Sequence, residues 1–345
     1  MTGYGSEQSR RARPFRRGAW QGGALLALAL AAGSSAQAAP VRTDSVRAAR
    51  GTAGCGEDCL TAVLDRFLGA MAAHDATAVP LAAAARYTEN GIELPFSAGL
   101  WRTFSGPGSY RHVFADEKAG QIAMFADIKE NGVSQLLMLR LKVESGKVSE
   151  AEALVQRRQS TRFINTEGLT LDPLWGEKLA GGDRRTRQQL ITAVDPYFDG
   201  LASGDGDSVP FADDCFRLEN GITTAGVDGK HQRMGAIPTG GEQRPLQRCR
   251  DQFNGGGTVY IQSVSPRRYL IVDETRGLVF GMFHFDQPGD ILQAKGKDGT
   301  TRPMPEAAIR PFTTPVAELF KVKNGKIVAI EAIMTVVPYG SKAGW

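Results

Sequence analysis

Histidine, cysteine and tryptophan are scarce in this chain, with four of each among 345 residues. No His stands near Cys55, Cys59, Cys215 or Cys249 at ligand spacing, so a metal site has little to be built from and none is expected. The local signatures of several enzyme classes are also missing: there is no nucleophile elbow, phosphate loop, dinucleotide fingerprint or zinc-protease helix. Gly255-Gly256-Gly257 has no lysine and helix behind it and reads as a loop. Nor does any segment reach the roughly eighteen consecutive apolar residues of a membrane helix.

The one short apolar run near a terminus, Ala24 to Ala32, follows Arg10, Arg11, Arg13, Arg16 and Arg17 and precedes Ala36-Gln37-Ala38. Basic region, apolar core and small-x-small motif together read as a signal peptide of residues 1–38, cut after Ala38, with Ala39 as the second choice. Arg16-Arg17 leaves twin-arginine export open, although the residues after the pair match it poorly and general secretion is preferred. The processed protein is expected in the periplasm or secreted, with no membrane attachment. The formal charge of +4 resides in this segment: five arginines and Glu7 leave with it, so Lys+Arg falls from 41 to 36 and Asp+Glu from 37 to 36. A remainder without net charge gives no reason to expect nucleic acid or an anionic membrane as a partner.

All four cysteines lie beyond residue 38, where an oxidising compartment favours pairing. Three connectivities are available. Cys55 with Cys59 and Cys215 with Cys249 is preferred, the first pair being local and the second bracketing one insertion, and the sequence leaves the choice open.

Self-comparison is more informative. Thr61 to Gly91 matches Ile191 to Gly221 at an offset of 130, sharing Asp65/Asp195, Asp75/Asp205, Val79-Pro80/Val209-Pro210 and Glu89-Asn90-Gly91/Glu219-Asn220-Gly221. Arg111 to Asp127 matches Arg268 to His284 at 157, sharing Asp116-Glu117/Asp273-Glu274 and Gly120/Gly277. Leu141 to Val155 matches Phe320 to Met334 at 179, sharing Lys142-Val143/Lys321-Val322 and Glu152-Ala153/Glu331-Ala332. A repeat in constant order implies one module twice. The first is placed at residues 55–156, a linker with Asp172-Pro173 and Gly181-Gly182 at 157–184, and the second at 185–345. The growing offset puts two Gly- and Pro-rich insertions in the second copy, between Ile222 and Arg267 and between Gln287 and Val316. Loops of that length are uncommon unless they cover a site or pack on a partner.

Within a copy, apolar residues at three- and four-residue spacing from Leu60 to Ala73, and from Arg187 to Ala202 with a break at Pro196, predict an opening helix. Short alternating segments follow, including Leu136 to Val143, Leu278 to Phe285 and Ala317 to Val322, with turns at Asn131-Gly132, Ser145-Gly146 and Asn324-Gly325. Helix first, then an antiparallel meander, is an α+β class.

That order, together with Glu219-Asn220-Gly221, Ala317 to Lys321 and Pro338-Tyr339-Gly340, resembles the nuclear transport factor 2 superfamily and its SnoaL-like members, including a group of uncharacterised exported bacterial proteins. The resemblance implies two tandem cone-shaped modules, each a curved antiparallel sheet on N-terminal helices. It also implies a cavity where acids, His, Tyr or Arg move protons without a cofactor.

Candidate residues follow from the repeat. His284 aligns with Asp127, each a polar intrusion in an apolar strand, and both are expected to face the cavity as proton-transfer groups; the alternative is a strand end reaching solvent. Arg217 stands where the first copy has Tyr87, and Glu219 where it has Glu89. A Tyr or Arg at a cavity mouth polarises a carbonyl, while the Glu could simply bond its turn. Trp101, Arg102, Tyr110, Arg267 and Tyr269 interleave aromatics with cations, as in binding an aromatic ligand or as cation–π pairs on a strand surface. With the resemblance, these residues point to a lyase or isomerase acting on a small cyclic or aromatic hydroxylated compound by acid/base catalysis. A non-catalytic ligand-binding or protein-interaction module is the alternative, and a homo-oligomer is compatible with either. The copies differ most in the second, which is where the site is expected.

Overall fold

Leu60, Leu64, Phe67 and Met71 form the buried stripe of the first helix, α1 (Glu57–Ala72), in the computed structural model, which describes residues 55–159, 163–235 and 245–345. The expected signal peptide lies outside the described residues. After α1 come β1 (Leu81–Glu89), β2 (Ile92–Leu94), the single-turn α2 (Leu100–Thr103), β3 (Phe104–Asp116), β4 (Gln121–Glu130), β5 (Val133–Glu144) and β6 (Lys147–Gln156). The second half opens with α3 (Arg187–Val194) and α4 (Pro196–Ser203), split where Pro196 withholds a backbone donor. There follow β7 (Phe211–Glu219), β8 (Ile222–Ala225), α5 (Cys249–Asn254), β9 (Ser263–Asp273), β10 (Leu278–Gln287), β11 (Gln293–Lys295), β12 (Thr301–Pro303), β13 (Phe312–Lys323), β14 (Lys326–Met334) and β15 (Val337–Pro338).

Two large curved sheets result, with the same strand order: β2-β1-β6-β5-β4-β3 and β8-β7-β14-β13-β10-β9. The class is α+β, but an all-antiparallel sheet is corrected. β1 runs parallel to β6, with Glu89 opposite Ala153, and β7 runs parallel to β14, with Glu219 opposite Ala332. The intervening strands supply the long crossover that a parallel neighbour needs. The Asn of each Glu-Asn-Gly triplet fastens this pairing. Asn90 and Asn220 take positive φ (50° and 48°) in the turn, and their amides bond the backbone of Val155 and Met334 on the neighbouring last strand.

Each sheet has one face under helices. Phe67 and Met71 of α1 pack on Met124, Ile128, Leu137 and Leu139, while Val194, Tyr197 and Phe198 pack on Val279, Phe283, Val316 and Phe320. The other faces meet each other through Phe114, Phe125, Met138, Phe280, Met282 and Leu319, with Trp175, from between β6 and α3, among them. The matched glutamates lie in this contact. Glu152 binds Arg268 at 2.9 Å and Arg140 at 3.0 Å, and Glu331 binds Tyr110 at 2.7 Å and His112 at 2.6 Å. Both favoured disulfides, Cys55–Cys59 and Cys215–Cys249, are present.

The matched glycines also have a physical cause. Gly120 and Gly277 adopt φ of +62° and +66°, and a Cβ would lie 2.6 Å from the Val143 carbonyl oxygen and 2.3 Å from that of Val322. Gly277→Ala is therefore expected to destabilise the fold by about 1–3 kcal/mol, read from the denaturant midpoint.

Candidate functional site

Strand alternation decides where His284 and Asp127 point. On β10, Val279, Phe283 and Phe285 face the helices, whereas Leu278, Phe280 and Met282 face the other sheet, and His284 shares their parity. On β4, Met124, Ala126 and Ile128 face α1, which puts Asp127 with Ala123 and Phe125 toward the second sheet. The expectation that both enter a helix-covered cavity is therefore corrected. Asp127 accepts the Tyr110 N–H at 2.5 Å, where the ladder between β3 and β4 is irregular. His284 Nδ1 lies 3.1 Å from the Ser341 carbonyl oxygen, and burial lowers the imidazole pKa. Beside it is a crevice, lined by Glu152, Pro266, Arg268 and Ala343, with room for about one water molecule.

The helix-covered interior of the first half holds Tyr87, Glu89 and Trp101 but has few free groups. Glu89 accepts from the Leu100 N–H at 2.6 Å, the Tyr87 hydroxyl at 3.1 Å and Arg157 at 2.7 Å, so it holds the start of α2 and not its own turn. Phe67, Phe96 and Trp101 meet edge to face, and Tyr87 is tilted against Phe96. Arg102 is exposed. Tyr110 is committed to Glu331 between the sheets. In the second half Arg267 pairs with Asp195 at 3.2 Å and Tyr269 bonds the same carboxylate at 2.5 Å, so both tie β9 to the junction of α3 and α4.

The equivalent interior of the second half is polar. Arg217 donates to Thr224 Oγ1 at 3.2 Å, to the Tyr197 hydroxyl at 3.2 Å and to Gln252 Oε1, and Glu219 lies 3.4 Å from it. Tyr197 donates onward to Glu318 Oε1 at 2.9 Å, and the buried Glu318 Oε2 has no partner among the described residues. Parity on β13 puts Glu318 here, with Val316 and Phe320 facing the helices. Extending the repeat pairs Tyr197 with Phe67, Arg217 with Tyr87, Glu219 with Glu89 and Glu318 with Leu139, so the first half lacks the cation and the inner acid of this constellation.

Burial pushes the Glu318 carboxyl up to about 8; the neighbouring Glu219 adds to this, and Arg217 and Tyr197 oppose it. Burial and the Glu318 charge raise Tyr197 well above the usual phenol range. Tyr260 is pushed up to about 12, by burial and then by Glu219. Burial works against the charge of Arg217, and Glu219, Tyr197 and Glu318 outweigh it. Lys321, on the opposite face of β13, is also lowered to about 8 by burial, but its ammonium donates to the Glu177 carbonyl at 2.7 Å.

Both insertions of the second half converge on this cluster. The disulfide Cys215–Cys249 joins α5 to β7 two residues before Arg217, and Gln252 of α5 reaches that arginine. Ala294, Met304 and Ala308 of the second insertion pack against Val259 and Tyr260 of the first. Lys297 binds Asp205 at 2.5 Å and Asp207 at 2.8 Å. Glu219, Gln252 and Tyr260 are partly exposed, so the rim of the cluster reaches the surface.

Sequence reasoning found Arg217 and Glu219 and missed Tyr197, Glu318, Gln252 and Tyr260. Glu318 had a signal, being the only acid between Phe312 and Lys323, two residues before the aligned third segment. Among the described residues, no three His, Cys, Asp or Glu side chains are grouped to hold a metal ion.

None of the curated proteins matches the chain. Among solved structures it is similar to IdmH of Streptomyces antibioticus, described as a candidate polyketide cyclase, at 18% identity over 42% of this chain and 91% of that one, with a TM-score of 0.26. A candidate isomerase from Bacillus subtilis is 10% identical over 43% and 87% of the two chains, TM-score 0.25. AusH of Aspergillus nidulans is 14% identical over 36% and 99%, TM-score 0.25. None of these likenesses assigns a reaction. The family model of a domain of unknown function, DUF8021, matches residues 56–155 and 183–334, and the chain belongs to that family.

Proposed function

We propose that the second half is a cofactor-independent lyase or isomerase that moves a proton within a small cyclic or aromatic hydroxylated compound. The observation that carries this reading is the buried Glu318 Oε2, without a hydrogen-bond partner among the described residues, on a carboxyl whose other oxygen accepts from Tyr197, itself bonded by Arg217. At neutral pH such a carboxyl keeps its proton and can give it to a substrate carbonyl or leaving hydroxyl. Glu219, at the rim, is the matching base. Tyr197, backed by Arg217, stabilises the carboxylate that Glu318 becomes. His284 and Asp127 leave the catalytic assignment; Arg217 and Glu219 stay in it.

Residues 55–156 and 185–345 are read here as tandem cone-shaped modules of the nuclear transport factor 2 type, the first a non-catalytic companion. Two disulfides favour export to the periplasm or beyond. A second reading, ligand binding without turnover, draws support from the aromatic packing of Tyr197, Phe198, Phe211, Phe253 and Phe320 around the cluster.

The test begins with mass spectrometry of compounds that co-purify with the full protein, followed by incubation of the captured compound with wild type and Glu318→Gln. Conversion by wild type and its loss in the variant is the expected result. Equal conversion by both removes Glu318 from the chemistry, and a compound retained unchanged by both favours the binding reading.

A further inference from the structure

Gln252 comes from the first insertion, as Tyr260 does, and it engages Arg217, the cation of the cluster. Its amide oxygen accepts from Arg217 Nη2 and its amide nitrogen donates to the Thr224 carbonyl, while Thr224 Oγ1 accepts from Arg217 Nε. With Tyr197 on Nη1, three of the five N–H groups, one on each nitrogen, have protein partners, and Glu219 compensates the charge at 3.4 Å. An arginine partly occupied in this way and paired with a carboxylate is a weaker grip for carboxylates and phosphates than an unpaired one with its whole fork open. An incoming anion would also lie near Glu219 without a free cation to offset it.

The position of Gln252 is built, not incidental. The Cys215–Cys249 disulfide anchors the start of α5, and Asn254 Oδ1 accepts from the Gly206 N–H at 2.8 Å at its end. Gly206 packs so closely on α5 that a Cβ would lie 2.2 Å from the Arg250 carbonyl oxygen. Phe253 fills the core beneath, under the Arg217 guanidinium at 5.9 Å. In the first half the single-turn α2 stands at the equivalent place between β2 and β3, without a disulfide to β1 and with no glutamine.

We infer that Gln252 sets the charge selectivity of the site: by occupying Arg217 it makes the second half a receptor for an uncharged ring compound bearing a carbonyl or hydroxyl, and excludes carboxylates and phosphates. This deepens the acid/base reading by naming its substrate class, since the unpartnered Glu318 oxygen is then the polar contact for the neutral ligand.

Equilibrium binding of two matched probes to the full protein tests it: 2-acetylnaphthalene, an uncharged ketone, and 2-naphthoate, its anionic analogue. Wild type is expected to bind the ketone at least about ten-fold more tightly. Gln252→Met, similar in size and unable to accept from Arg217 as an amide does, should narrow that ratio by about ten-fold, mainly by tightening naphthoate. Gln252→Glu keeps the guanidinium occupied and should preserve the preference, which separates occupancy from a folding defect. Preference of wild type for naphthoate, failure of both probes to bind, or a ratio unmoved in Gln252→Met overturns the inference. The two readings fail separately: a ratio that follows Gln252 while Glu318→Gln turns over normally leaves selectivity standing and removes the acid/base role.

Discussion

Replacing Glu318 by Gln is expected to lower turnover by about two to four orders of magnitude, the usual contribution of a positioned general acid or base. The same variant is expected to change how stability depends on pH. The folded carboxyl titrates at about 8 and the unfolded one near 4.5, so between those values the unfolded chain releases a proton that the folded chain keeps. For an acid raised on folding, the contribution is fully present below pH 4.5, declines as pH rises through the folded pKa near 8, and is flat above it. The loss is on the order of 5 kcal/mol. A Gln amide does not titrate. The stability difference between Glu318→Gln and wild type should therefore grow across that window in the variant's favour, read from urea midpoints at pH 5, 7 and 9. Parallel curves would mean that Glu318 is not held in an unfavourable environment.

The second large effect is structural. Glu152 is buried between the sheets with Arg268 at 2.9 Å and Arg140 at 3.0 Å, and Arg140 is fully buried. Glu152→Ala leaves two guanidinium groups facing each other with only Glu150, 2.8 Å from Arg140, in compensation. Breaking a buried ion network by removing one partner destabilises by about 3–5 kcal/mol. Trp345, whose ring lies 5.2 Å and 5.7 Å from the same two cations, gives an optical probe, and its environment should change before global unfolding. Glu331→Ala, the matched position, removes an acceptor from Tyr110 and His112 and should cost less, about 1–3 kcal/mol. Equal effects at both positions would contradict the charge argument.

Much of this architecture is legible from pattern. Leu60, Leu64, Phe67 and Met71 announce α1, Pro196 marks the break between α3 and α4, and Asn-Gly and Ser-Gly pairs mark hairpins whose backbones take positive φ. The repeat implies similar segments in both halves, and the two large sheets share one strand order. What alternation does not say is which face meets the helices when both faces of a strand are apolar. β10 has Val279 and Phe283 on one side and Phe280 and Met282 on the other, so His284 could be assigned to either. The choice comes from the packing of one sheet on the other, a long-range fact. For the same reason Glu152 and Glu331 read as shared framework while their cross-sheet partners stayed hidden. Glu318 was visible as a lone acid in β13, but its importance rests on Tyr197, Arg217 and Glu219, which come from α4 and β7.

The claim that the second half carries a proton on Glu318 is tested most directly by observing that carboxyl, with 13C-labelled glutamate followed by NMR across pH and Glu318→Gln used to assign the resonance. A titration midpoint near 8, missing from the variant, is the predicted result. A midpoint near the ordinary value of 4.5 would contradict the account, because Glu318 would then be ionised at neutral pH and have no proton to give.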